Sequence, residues 1–153
     1  MSKRQSKHYL VKTLSRADLS ELYHSGLFPN SPIADPESHP LILEKGCSFC
    51  CKKEGEIRFA GGVVPLWHGV GEVWMVMMEG MEKHGFLLTK VCKQLINEGA
   101  KAFHRIQMTT LESEPGHARW AKLLGFQEEG TMIQYGPDRA NHVRLSKTWP
   151  LKH

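Results

Sequence analysis

A chain of 153 residues with 41% hydrophobic and 24% charged residues can bury its own core and has the composition of an ordinary globular protein. No apolar run approaches the roughly 18 residues of a membrane span, and no hydrophobic segment follows the basic start, so a cytoplasmic protein with no membrane span is expected. The net charge of +4 is mild: it fits an anionic ligand or a weak nucleic-acid preference and decides neither, and nucleic acid is not an expected partner.

Residues 1–7 are basic and polar and should form a flexible terminus. Residues 8–13 read as a first strand, with Tyr9 and Val11 on one side and Leu10 on the other. Ser15 is suited to cap a helix over 16–25, with Asp18 in its first turn and Gly26 past its end. Leu14, Leu19, Leu22 and Tyr23 give that helix its apolar stripe. Pro29, Pro32, Pro36 and Pro40 then punctuate a stiff connection with room for only a short helix. From Leu41 the pattern turns to strands. Residues 41–44 and 47–52 form one bent strand or two short ones, and Lys53-Glu54-Gly55-Glu56 is a hairpin signal. The return runs over 57–66, where Gly61-Gly62 predicts a bulge or a close backbone approach. His68-Gly69-Val70-Gly71 makes the next turn.

Cys47, Cys50, Cys51 and Cys92 include one C-x-x-C spacing, with His39 nearby. A structural zinc site needs a second ligand pair, and none follows downstream. Strand alternation puts Cys47 and Cys51 on one face and Cys50 on the other, so the cysteines are expected as core thiols, with no metal.

Residues 73–126 organise the rest. An apolar run, Val73-Trp74-Met75-Val76-Met77-Met78, is followed by a break, Glu79-Gly80-Met81-Glu82-Lys83-His84-Gly85. A helical pattern then passes through Leu87, Leu88, Val91, Cys92, Leu95 and Ile96 and closes at Gly99. A second strand-like run covers 103–108, and a short helix over 117–124 ends in Gly125-Phe126. This βαβα order predicts one parallel pair, strands 72–78 and 103–108, joined by a helix of about four turns. Residues 127–134 and 142–148 close the chain as an antiparallel pair around Gly136-Pro137-Asp138-Arg139. No linker or repeat interrupts the pattern, so residues 1–153 are expected as one mixed α/β domain.

The order of elements, with the string Lys122-Leu123-Leu124-Gly125-Phe126-Gln127-Glu128-Glu129-Gly130, resembles the GNAT superfamily of acetyl-CoA-dependent N-acyltransferases. In that family a K-x-G-F-x-x-x-G-like signature ends the helix after the fifth strand. The likeness spans residues 9–149. It implies a GNAT-like fold: a central mixed, mostly antiparallel sheet with one splayed parallel strand pair, flanked by helices. A narrower likeness, carried by Glu72-Val73-Trp74 and Trp120, is to phage-encoded GNAT-like proteins, including small internal virion proteins of short-tailed coliphages. It implies the host cytoplasm or the virion as the location and virion partners.

The resemblance implies acetyl-CoA as cosubstrate and an amine of a small molecule or protein as acceptor, with a homodimer among the expected assemblies. The thioester carbonyl would meet backbone N–H groups at Met77 and Met78. The pyrophosphate would sit at the following helix N-terminus, where Lys83, His84, Gly85 and Phe86 stand in the place of the family's Q/R-x-x-G-x-G/A loop. Only Gly85 clearly matches that loop, and Glu82 is unfavourable beside a phosphate. Glu72 is the first candidate for the general base and Glu79 the second. The family's tyrosine acid, five residues before the Gly-Phe phenylalanine, is replaced by Ala121, and the asparagine near the start of that helix by Glu114. His104, His117 and Tyr135 carry no assigned role, and Trp67, Trp74, Trp120 and Met75 are expected as core or pocket wall. Two readings follow: an N-acyltransferase, or a catalytically degenerate GNAT-shaped binding or virion protein.

Overall fold

Ser15 and Asp18 start the first helix by satisfying each other's backbone. Ser15 Oγ accepts from the Asp18 amide at 3.1 Å, and the Asp18 carboxylate accepts from the Ser15 amide at 2.9 Å. This reciprocal cap fills two of the positions that a helix start leaves open. Gly26 ends the helix in left-handed backbone at φ 64°. The computed structural model describes residues 9–26 and 35–150. The expected terminus at 1–7 and the prolines Pro29 and Pro32 lie outside them.

In chain order the elements are β1 (Leu10–Thr13), α1 (Arg16–Ser25), β2 (Cys47–Lys53), β3 (Glu56–Trp67), β4 (Val70–Met77), α2 (Gly85–Gly99), β5 (Arg105–Leu111), α3 (Pro115–Leu123), β6 (Gln127–Met132) and β7 (His142–Thr148). Among the described residues the strands hydrogen-bond in the order β1-β2-β3-β4-β5-β7-β6. The pair β4–β5 is parallel, and α2 makes the crossover that a parallel connection needs. The architecture is therefore the predicted mixed α/β one: a mostly antiparallel sheet with one parallel pair, flanked by helices.

One expectation fails. Leu41–Lys45 forms a turn of π-helix and not a strand. Asp35 caps a 3-10 turn at Pro36–Ser38 by accepting from the Glu37 amide at 3.0 Å, and His39 keeps helical backbone at φ −57°. Ile42 is then fully buried. A buried helical turn and a buried strand segment of this length have the same apolar composition, so periodicity cannot separate them.

The chain divides into two compact units, and the division runs inside β3, β4 and α2 and not along a linker. The first unit comprises Met1–Val64 and Trp74–Leu88. Its core gathers Leu14, Leu19 and Leu22 of the α1 region with Ile42, Cys50, Ile57, Ala60, Trp74 and Val76. The rings of Phe49 and Phe59 pack at 5.5 Å, and Phe49 is on the strand face opposite Cys50. The predicted close approach occurs at Gly62: a Cβ there would fall on the Cys47 carbonyl oxygen and 2.9 Å from Ser48 Cα. The bulge in the β2–β3 ladder lies elsewhere, between Cys51 and Lys52.

The second unit comprises Pro65–Val73 and Thr89–His153. Alternation along β5 buries Ile106, Met108 and Thr110 and leaves Arg105, Gln107, Thr109 and Leu111 half-buried on the other face. Trp120 Nε1 of α3 donates to Thr89 Oγ1 of α2 at 2.9 Å. The Gly125-Phe126 signal ends α3 as predicted. Phe126 N–H reaches back to the Ala121 carbonyl at 3.1 Å, Gly125 N–H bonds the Lys122 carbonyl at 3.0 Å, and Gly125 adopts φ 97°.

Candidate active site

Glu72 lies on the last rung of the parallel ladder, where Val70, Gly71 and Glu72 pair with Arg105, Ile106 and Gln107. Register puts its side chain beside those of its neighbours in the second unit. Arg144 Nη1 donates to both oxygens of Glu72 at 3.0 Å, and Gln107 Nε2 donates to Oε2 at 3.0 Å. Arg105 Nε donates to Gln107 Oε1 at 2.8 Å, which turns the amide so that its NH2 faces Glu72. Arg105 also grips Glu129 in a two-pronged pair, Nη1 to Oε2 at 3.1 Å and Nη2 to Oε1. That bond, aided by Ser146 and Arg144 against a burial effect, holds the Glu129 carboxyl below the usual carboxylate range.

The result is a line of side chains from four strands, Glu129–Arg105–Gln107–Glu72–Arg144. Glu72 and Arg144 are only 21% and 18% exposed, so their charges meet with little water between them. Oε2 of Glu72 accepts two bonds and Oε1 only one. A carboxylate oxygen has room for two, so Oε1 retains one acceptor position. Glu79, the second predicted carboxylate, lies exposed in the turn after β4.

The break before α2 belongs to the first unit. Gly80, at φ 89°, leads into a 3-10 turn at Met81–His84, and α2 starts directly at Gly85. Met81 is buried and anchors the turn, while Glu82, Lys83, Gly85 and Phe86 are exposed. The His84 ring meets Tyr9 edge-on at 5.1 Å, and Lys53 lies 5.6 Å from the centre of the same Tyr9 ring. A Cβ added at Gly85 would meet no atom of the protein within 4 Å, so there is open space beside the Gly85 Cα. Met77 and Met78 differ. The Met78 N–H donates to the Arg58 carbonyl at 2.9 Å and is therefore occupied, whereas alternation turns the Met77 N–H to the strand edge opposite β3.

Other expected residues do not join a site. Ala121 is fully buried in α3, and no hydroxyl group takes its place in that helix at that position. Glu114 precedes α3 without a side-chain cap and pairs with exposed His117 at 3.2 Å. His104 covers Gly69, and Tyr135 is exposed beside His142 at 5.3 Å. Trp67, expected in the core or a pocket wall, is 65% exposed. It closes β3 at a hairpin, where the strand leaves the packed part of the sheet. Cys50 and Cys51 are fully buried, and burial pushes both thiols up, Cys51 to about 11. A cavity of ≈ 300 Å³ in the second unit is lined by Lys93, Asn97, Leu124 and Lys147, none of them a predicted site residue.

Sequence reasoning missed Gln107 and Arg144 as partners of Glu72, and Arg105 and Glu129 as the pair that extends the line from Gln107. The signal for Arg105 and Gln107 is polar residues at alternate positions of β5, but it becomes readable only once strand register is known.

No protein-family profile matches the sequence, and no curated protein does. Solved structures do. A GNAT-family acetyltransferase from Streptococcus pneumoniae superposes with a TM-score of 0.75 at 14% identity, over 93% of this chain and 100% of that one. Mutant forms of the spermidine/spermine N-acetyltransferase SpeG from Vibrio cholerae give 0.72 at 13% identity over 92% and 95%. An IAA acetyltransferase from Bacillus cereus ATCC 14579 gives 0.70 at 10% identity over 93% and 100%. The architecture of this chain is the GNAT acetyltransferase fold.

Proposed function

We propose that the protein is an N-acyltransferase that moves an acetyl group from acetyl-CoA to an amine. The observation that carries this reading is a mostly buried carboxylate, Glu72, on the last rung of the one parallel ladder in an acetyltransferase fold. Its open Oε1 position can accept a proton from the acceptor ammonium, directly or through a water. The freed amine attacks the thioester carbonyl, the C–N bond forms, the C–S bond breaks and CoA leaves as thiolate. Stabilisation of the oxyanion would fall to the Met77 N–H, the one of the predicted pair not taken by Arg58. The pyrophosphate would be received at the turn before α2 and by Lys83, with Gly85 giving it room.

Calorimetry with acetyl-CoA and with free CoA tests the reading, followed by discharge of acetyl-CoA in the presence of amines. Saturable binding and amine-dependent release of CoA thiol are expected. No binding at millimolar cosubstrate defeats the proposal.

The buried Ala121 favours a second reading, because no phenol stands there to protonate the leaving thiolate. In that reading the chain is a GNAT-shaped binding protein or a phage virion component with virion partners. It predicts CoA binding without turnover, or no CoA binding at all. A thiolate leaves without protonation, so the acyltransferase reading takes precedence. A homodimer is compatible with either.

A further inference from the structure

Arg144 is a guanidinium used by one of its three nitrogens. Nη1 makes both contacts with Glu72, while Nε and Nη2 donate to no described residue. The side chain is only 18% exposed, and those three N–H donors stay open to solvent beside a carboxylate that is already shared with Gln107. Planar donors in this arrangement match a planar two-oxygen anion. The other arginine of the line shows the contrast: Arg105 spends Nε on Gln107 and both Nη groups on Glu129, leaving no nitrogen without an acceptor.

Charge balance points the same way. Glu72, Glu129, Arg105 and Arg144 sum to zero, so a second acceptor ammonium would find no unpaired carboxylate among them. An acceptor that is itself a zwitterion brings one charge for each open position, its ammonium for Glu72 Oε1 and its carboxylate for Arg144. The two positions belong to side chains that meet at 3.0 Å, so an acceptor with its amine and carboxylate close together, about one or two carbons apart, suits both.

We propose that Arg144 is the specificity residue for the acceptor and that the acceptor is an α- or β-amino acid, or a molecule ending in one, and not a polyamine. This rests on the acyltransferase reading. The balanced reaction converts the amino acid and acetyl-CoA to the N-acetyl amino acid and CoA thiol, with the carboxylate unchanged, one ammonium proton passing to Glu72 and then to solvent, and the second, lost as the amide forms, ending on the CoA thiolate.

The test uses the whole chain, acetyl-CoA and a panel of amino acids, each paired with its C-terminal amide, with spermidine as a third class. Acids are expected to be turned over with kcat/KM roughly 10- to 100-fold above their amides, the range of a charged hydrogen-bonded pair. Arg144→Gln should erase that preference by raising KM for the acid, with KM for acetyl-CoA unchanged. Arg144→Lys should restore part of it, because it keeps the charge and loses the fork. Thermal melts and CoA calorimetry on each variant exclude misfolding. Amides or spermidine used as well as the acids, or a preference that survives in Arg144→Gln, overturns the inference. If CoA binds but no acid in the panel is bound or acetylated, the inference also falls while the cosubstrate site stands. Loss of CoA binding in the unaltered protein sinks the acyltransferase reading itself.

Discussion

The chain assembles nearly the same ingredients twice, once in each compact unit, and uses them differently. In the first, Asp18 meets Lys52 at 2.6 Å, Lys12 at 2.8 Å and both Ser15 donors, with the Cys50 thiol at 3.9 Å. Burial would push its carboxyl up, but the bonds from Lys12, Lys52 and Ser15 outweigh it and hold the group far below the ordinary range. Asp18 is 3% exposed; its Oδ2 takes Lys12, both Ser15 donors and the Cys50 thiol, and its Oδ1 takes Lys52. In the second unit Glu72 also has a cation and a neutral donor, yet it is 21% exposed and its arginine keeps three unused N–H groups. A carboxylate closed off from water and ringed by donors holds structure, whereas one that still reaches solvent is available for chemistry.

Two substitutions should separate those roles. Glu72→Gln keeps an acceptor for Arg144 and removes the proposed base, so acetyl transfer should fall about 10²–10⁴-fold with CoA affinity unchanged. Steady-state rates with calorimetry on the same variant check this, and an unchanged rate passes the role to Glu79, to water or to the free-amine fraction. Asp18→Ala should leave transfer per folded molecule intact and destabilise by about 3 kcal/mol, the low end for an orphaned buried pair, because Lys12 and Lys52 can reach water. Urea titration reads it. Because the folded Asp18 value lies below the unfolded one of about 3.9, its contribution is complete above that pH and is lost as pH falls further. Asp18→Asn should therefore flatten the acid limb of the stability curve below about pH 4.

The same contrast explains what could be read in advance. Ser15, Asp18 and Gly26 mark α1 to the residue, and Gly125-Phe126 marks the end of α3, because caps and left-handed turns are local chemistry. Glu72 is legible as a strand-start carboxylate. Its partners are not, since Arg144 lies 72 residues away and reaches it only through the register of β4, β5 and β7. The Asp18 cluster is equally hidden: its lysines come from β1 and β2, and Asp18 itself reads as an ordinary first-turn acid. The turn at Leu41–Lys45 reads as a strand because an apolar run of this length has no period to measure.

A smaller effect belongs to the break before α2. Lys83→Glu should weaken CoA binding about two- to fivefold at low salt, since a charge near a helix N-terminus is worth about 0.3–1 kcal/mol, and the loss should shrink as salt rises. Gly85→Val should weaken it with little salt dependence. Gly85 has φ −54° and nothing within 4 Å of an added Cβ, so the bulk of valine there should be felt by a bound phosphate more than by the fold. Equal salt slopes for the two variants would remove the α2 start from the cosubstrate site.

The smallest effect tests whether the outer end of the Glu72 line matters at all. Arg105 and Glu129 are 26% and 37% exposed, so their pair is screened and worth about 0.5–1 kcal/mol even with two-pronged geometry. Arg105→Gln should cost that much at neutral pH and less in acid. The folded Glu129 carboxyl is depressed chiefly by Arg105, so its contribution is present above its unfolded value of about 4.3 and disappears as pH falls. A double-mutant cycle with Glu129→Gln isolates the pair. Arg105→Gln also frees the Gln107 amide, which Arg105 Nε holds at 2.8 Å with its NH2 towards Glu72. If that orientation serves the base, kcat should drop a few-fold in Arg105→Gln and stay unchanged in Glu129→Gln, although both lose the same ion pair. Identical kcat in the two variants would reduce Arg105 to a structural tie of the same kind as Lys12 and Lys52.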